Sequence, residues 1–305
     1  MMRVMKVCSI VVVAALMGSS AVSCSAQDWA KATLAKSPRH GEFVTVAEAN
    51  GRKLQVWVVY PQVKSKAPVV VMIHEIFGLS DWAQEMADEL AGAGYIVVEP
   101  DLLSGLGPAT ASTAAPAAAG APMDHDHMGQ GGAGAAYVTA EPGGTSAFPD
   151  RNAVVRAVSS LPDAQVLADL DAVADYGKKL PSADGKLYVA GFCWGGGKSF
   201  LFATHRSDLS GAFVFYGPPP PADTMKNITA PVYGFYAGND ARISATIPQT
   251  VADMKAAGKT YEPVTYDGAG HGFMRAGEAP DANAADSAAR AQGFRRLITL
   301  LGGVR

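Results

Sequence analysis

The sequence predicts an α/β fold: a doubly wound, mostly parallel sheet with helices on both faces. Three observations carry that expectation. Short continuous apolar runs such as Val69-Val70-Val71-Met72-Ile73 recur along the chain, as strands buried on both faces require. Between them lie segments with apolar residues at helical spacing. Residues able to do chemistry sit just past the ends of the apolar runs, where open parallel sheets carry their sites.

The chain begins with a leader. Arg3 and Lys6 precede an apolar run at residues 10–17, and small residues continue to Ala26. That pattern is a secretory signal peptide, too short in its apolar part to span a bilayer. It predicts export to the periplasm, with cleavage after Ala26. Ala21-Val22-Ser23-Cys24 also resembles a lipoprotein processing site, and the alternative is therefore a lipidated Cys24. Of the three cysteines, Cys8 leaves with the leader and Cys24 is removed or modified. The mature chain keeps Cys193 alone and can form no internal disulfide. With 17% charged residues and a net charge of −3, a nucleic-acid or membrane-surface protein is not indicated.

Residues 27–305 read as one domain. Phe43–Val46 and Leu54–Val59, on either side of Asn50-Gly51, predict an antiparallel hairpin. Val69–Ile73 predicts a central strand. Ser80 or Asp81 caps a helix with Trp82, Met86 and Leu90 on its apolar side and Asp81, Glu85, Asp88 and Glu89 elsewhere; Gly92 and Gly94 end it. Residues 95–98 predict another buried strand. From about 104 to 149 periodicity is lost among alanine, glycine, proline and threonine, which predicts a low-complexity insertion without core elements. Helices are expected near 150–160 and 163–180, then a strand at 186–190 and a helix from Gly197. Strands follow at 212–216, 232–236 and 261–266. A helix at 245–257 ends at Gly258, and a last helix carries Phe294, Leu297, Ile298 and Leu301 on one stripe.

The chemistry centres on Gly191-Phe192-Cys193-Trp194-Gly195-Gly196, placed between a strand and a helix. This is the layout of a nucleophile elbow: the residue at the turn is strained, and the positions two before and two after it must be nearly free of side chain. The helix that starts there aims its N–H groups and positive dipole end at Cys193, which favours the thiolate. Asp240 follows the run at 232–237, and His271 follows the last strand. Nucleophile, acid, histidine is the chain order of the α/β-hydrolases, with His271 as base and Asp240 fixing its tautomer.

These motifs, with His74-Glu75-Ile76-Phe77-Gly78 and the Gly-His-Gly-Phe-Met-Arg stretch ending at Arg275, resemble the dienelactone hydrolase family from about Pro68 to the C-terminus. The resemblance implies that Glu75 holds the resting thiol and takes its proton when substrate binds. It implies an oxyanion hole from the backbone N–H groups of Ile76 and Trp194, the positions where an α/β-hydrolase finds its donors. It also implies substrate binding by Arg275 and Arg151. The expected activity is hydrolysis of small esters or lactones through an acyl-thioester, with neither cofactor nor metal. A competing reading is a non-catalytic binding protein on a hydrolase scaffold, handling metal through Met123-Asp124-His125-Asp126-His127-Met128. The blander reading of that stretch, a polar loop tip, is preferred because no second ligand cluster is visible in the sequence. For Arg275 the alternative to a substrate clamp is a surface pair with Glu278.

Overall fold

The computed structural model describes residues 27–48, 50–107 and 138–302. The leader and the His125/His127 stretch lie outside the described residues. In chain order the elements are α1 (Asp28–Leu34), β1 (His40–Ala47), β2 (Lys53–Tyr60), β3 (Ala67–Ile73), α2 (Asp81–Gly92), β4 (Ile96–Pro100), β5 (Ser104–Gly107), β6 (Val138–Gly143), α3 (Arg151–Ser159), α4 (Asp163–Lys179), β7 (Ala183–Phe192), α5 (Trp194–His205), β8 (Gly211–Phe215), β9 (Val232–Ala237), α6 (Ala241–Ser244), α7 (Ile247–Ala256), β10 (Tyr261–Tyr266), α8 (Phe273–Ala276) and α9 (Ala284–Leu300). Eight strands form one sheet in the order β1-β2-β4-β3-β7-β8-β9-β10. β2 runs antiparallel to both β1 and β4, and every other pairing is parallel.

Alternation along the central strands feeds two cores. Val69, Val71, Ile73, Val98 and Val189 meet Val166, Leu170 and Val173 of α4 and Phe200 of α5. On the opposite face, Val70, Met72, Val97, Phe213 and Phe235 meet Trp82, Met86 and Leu90 of α2 and Leu297 of α9. Burial on both faces is why these strands read as unbroken apolar runs. The predicted Ser80 cap is present, its side chain accepting from the Ala83 N–H, and α3 is capped likewise by Asp150, which accepts from the Ala153 N–H.

Three expectations need revision. Helix α1 is absent from the sequence reading, and it packs along α2. Glu85 and Asp88, off the apolar stripe, are buried as well; Asp88 accepts from Ser37 at 2.6 Å and pairs with Arg39. Glu85, pushed by burial and by Glu89 up to about 7, sits at the same surface of the helix. The low-complexity stretch also has ordered ends, since β5 and β6 pair antiparallel with Gly107 opposite Val138. Finally, the return of the chain after β6 is tied to the main sheet. Asp101, just past β4, accepts from the Thr145 N–H at 2.7 Å and the Thr145 hydroxyl at 2.9 Å, and that hydroxyl accepts from the Leu79 N–H at 3.0 Å. Scattered Asp and Thr residues carry no periodicity, so these long-range bonds leave no signal in the sequence.

Candidate active site

The turn between β7 and α5 has the strain the glycine pattern predicts. Cys193 has φ 57° and ψ −117°, a left-handed conformation that costs a non-glycine residue about 1–3 kcal/mol. Side chains at the flanking positions have no room: a Cβ at Gly191 would fall 2.0 Å from the Gly195 carbonyl oxygen, and one at Gly195 would fall 2.4 Å from the carbonyl oxygens of Ile73 and His74. The strained residue is held from below by its own N–H, which donates to the Phe215 carbonyl at 3.0 Å. Its side chain is half-buried at the N-terminus of the twelve-residue helix α5.

Three strand-end loops converge on the thiol. His271, past β10, places Nε2 3.0 Å from Cys193 Sγ. Its Nδ1 lies 2.5 Å from Asp240 Oδ2, past β9. The Asp240 carboxylate also caps α6, accepting the Ile243 N–H at 3.3 Å. Burial opposes charge on His271, yet hydrogen bonds to Asp240 and Cys193 outweigh it and push the imidazole up to about 10. Burial alone would raise Asp240; the bond and charge of His271 hold it below the usual carboxylate value. An imidazole so poised accepts a proton from the thiol readily, and the carboxylate orients the ring for it.

Glu75 differs from expectation. It is buried, at 3% exposure. Nor does it hold the thiol. Its Oε2 accepts from Arg275 Nε at 2.7 Å and its Oε1 from the Tyr216 hydroxyl at 3.3 Å. A guanidinium attracts a buried carboxylate more strongly than a thiol does, so the thiol is left to His271. Arg275 therefore pairs with Glu75, whereas Glu278 accepts from Trp82 Nε1 at 2.8 Å and pairs with Arg290. Arg151, first residue of α3, lies over the Phe77 ring at 3.7 Å, and Arg275 over the same ring at 5.1 Å. The two arginines named from the sequence thus share one aromatic platform, and burial, then the charge of Arg275, lowers Arg151 from its ordinary value. The Ile76 and Trp194 N–H groups donate to no protein acceptor among the described residues.

Tyr216 was not visible as a site residue. It ends the apolar run of β8, and nothing separates it from a core tyrosine. In the fold it has φ 40°, is fully buried, and sets its ring edge-on to His271 at 5.1 Å. A cation ligand set, Glu85, Glu89 and Glu278, also comes together, but Arg290 already bridges Glu89 and Glu278. Among the described residues no helix is long and apolar enough to cross a membrane.

Known proteins resemble this chain in sequence and in fold. The profile of the dienelactone hydrolase family matches residues 54–304. A provisionally named carboxymethylenebutenolidase of Yersinia pestis is 29% identical over 241 residues, covering 75% of this chain and 77% of that protein. The carboxymethylenebutenolidase of Pseudomonas putida is 27% identical over 236 residues, covering 77% and 86%. A crystal structure from Klebsiella pneumoniae, provisionally assigned as a dienelactone hydrolase, superposes with a TM-score of 0.66 at 24% identity, over 86% of this chain and 98% of that one.

Proposed function

The chain belongs to the dienelactone hydrolase family, whose profile spans most of its length, and from that premise we propose that it hydrolyses small esters or lactones through a Cys193 thioester. The observation that carries the mechanism is the unbroken line from Asp240 through His271 to Cys193 Sγ. The thiol proton passes to His271 Nε2, and the sulfur attacks the acyl carbon. The carbonyl oxygen becomes an oxyanion, which the N–H groups of Ile76 and Trp194 stabilise. Collapse expels the alkoxide, which takes the proton from His271 and leaves an acyl-thioester on Cys193. His271 then deprotonates a water that attacks this thioester, and the acid and the free thiol are released. A thiolate is a better leaving group than an amine, so a thiol nucleophile suits esters and lactones better than amides. That preference agrees with the ester- and lactone-cleaving type of the family. The leader supports an exported, periplasmic enzyme cleaved after Ala26.

Quenching a reaction with a pool of activated esters and measuring intact mass is expected to show one acyl adduct, mapping to Cys193. An adduct elsewhere, or none under conditions of full turnover, would overturn the thioester.

Arg275 and Arg151 over Phe77 favour a substrate with a carboxylate beside the scissile bond. Arg275→Ala is expected to raise KM for a carboxylate-bearing ester by roughly tenfold to a hundredfold and to spare its neutral methyl ester. Equal effects on both substrates would leave Arg275 as an anchor for Glu75 and remove the argument for an anionic substrate.

A further inference from the structure

His74, the first residue after β3, takes no part in the proton relay, yet it is fully buried. Its Nδ1 lies 2.7 Å from the Glu75 carbonyl oxygen. A carbonyl can only accept, so Nδ1 carries the hydrogen. Burial lowers the tendency of this ring to take a second proton. Nε2 is then a bare acceptor, and it has no partner among the described residues. The same carbonyl also accepts from the Gly78 N–H at 3.2 Å. In a planar trans peptide the C=O and the next N–H point in opposite directions. Two donors on the Glu75 oxygen therefore set the direction of the Ile76 N–H.

The second contact of the ring is Trp194, stacked at 5.8 Å with planes 12° apart. The main chain of Ile73 and His74 also abuts the start of α5, where a Cβ at Gly195 would strike both carbonyl oxygens. One side chain thus touches both segments whose N–H groups lack protein acceptors. A buried imidazole costs more than an apolar ring of its size unless its hydrogen bond has a use.

We propose that His74 is the positioning residue of the oxyanion hole: it turns the Ile76 N–H toward the acyl oxygen and fixes Trp194 behind the second donor. This rests on Cys193 being the nucleophile. The test uses the full chain, a chromogenic short-chain ester, and the variants His74→Phe, which keeps the stack without the donor, and His74→Asn, whose amide can donate to the same carbonyl. His74→Phe is expected to lower kcat by roughly tenfold to a hundredfold with KM within about twofold, and His74→Asn to recover most of the loss. Alkylation of Cys193 by iodoacetamide forms no oxyanion, so its rate is expected to be that of the wild type in both variants. If His74→Phe does not yield folded protein, His74→Leu against His74→Asn makes the same comparison.

An unchanged kcat in His74→Phe, a parallel fall in alkylation rate, or no recovery in a folded His74→Asn would each overturn the proposal. Turnover that survives Cys193→Ala would instead overturn the nucleophile itself, and the two failures are distinct.

Discussion

Cys193→Ala is expected to abolish ester hydrolysis, lowering kcat by roughly 10⁴-fold or more, while the protein stays folded. Removing the sulfur deletes the nucleophile that His271 Nε2 contacts at 3.0 Å, so no acyl-thioester can form. Stability is not expected to fall, because the thiol is half-buried and the left-handed backbone at φ 57° remains with alanine. Cys193→Gly sharpens the argument. Glycine accepts that conformation without strain, so this variant is expected to gain about 1–2 kcal/mol in denaturant titration and to be equally inactive. A dead enzyme that is more stable than wild type would show strain held for chemistry. Residual turnover near the wild-type rate in either variant would end the assignment of Cys193.

Asp240→Asn is expected to be nearly as damaging, with kcat down roughly 10³- to 10⁴-fold. The remaining Oδ1 can still accept the Ile243 N–H and cap α6, so the loop keeps its shape. The new amide then presents N–H to His271 Nδ1, which forces the ring proton onto Nε2. A protonated Nε2 on a neutral ring cannot take the thiol proton.

The same variant has a signature in stability against pH. With its folded-state value raised from 6.5 to about 10, His271 contributes stability that is fully present below pH 6.5 and lost as pH rises from there to about 10. Asp240→Asn removes the hydrogen bond and charge of Asp240, leaving those of Cys193, so the decline over that window is expected to become shallower. A wild-type decline that Asp240→Asn leaves intact would show that another group carries it.

Legibility followed the kind of signal each feature leaves. The elbow was readable because three requirements coincide within six residues: a buried strand, a strained turn that tolerates no neighbouring side chain, and a helix start. Asp240 and His271 were readable by order and by their places after apolar runs. Arg275 and Arg151 came only through the family resemblance, and the fold brings both to Phe77. The partner of Glu75 was misread, because whether a carboxylate faces a thiol or a guanidinium depends on two loops 200 residues apart in sequence.

Alternation and periodicity, read along the chain, determined the strands, most of the helices, the parallel sheet and the elbow, since these depend on neighbours a few residues away. Tertiary structure alone decided that α1 packs along α2, that Glu85 and Asp88 are buried, that Asp101 ties down Thr145, and that Tyr216 sits edge-on to His271. Each of those is a contact between segments far apart in the chain, whose free energy depends on distance and desolvation rather than on residue type. Glu85 makes the point in one residue: it lies off the apolar stripe of an amphipathic helix, and only tertiary packing buries it, so that burial and then the Glu89 charge push it up to about 7.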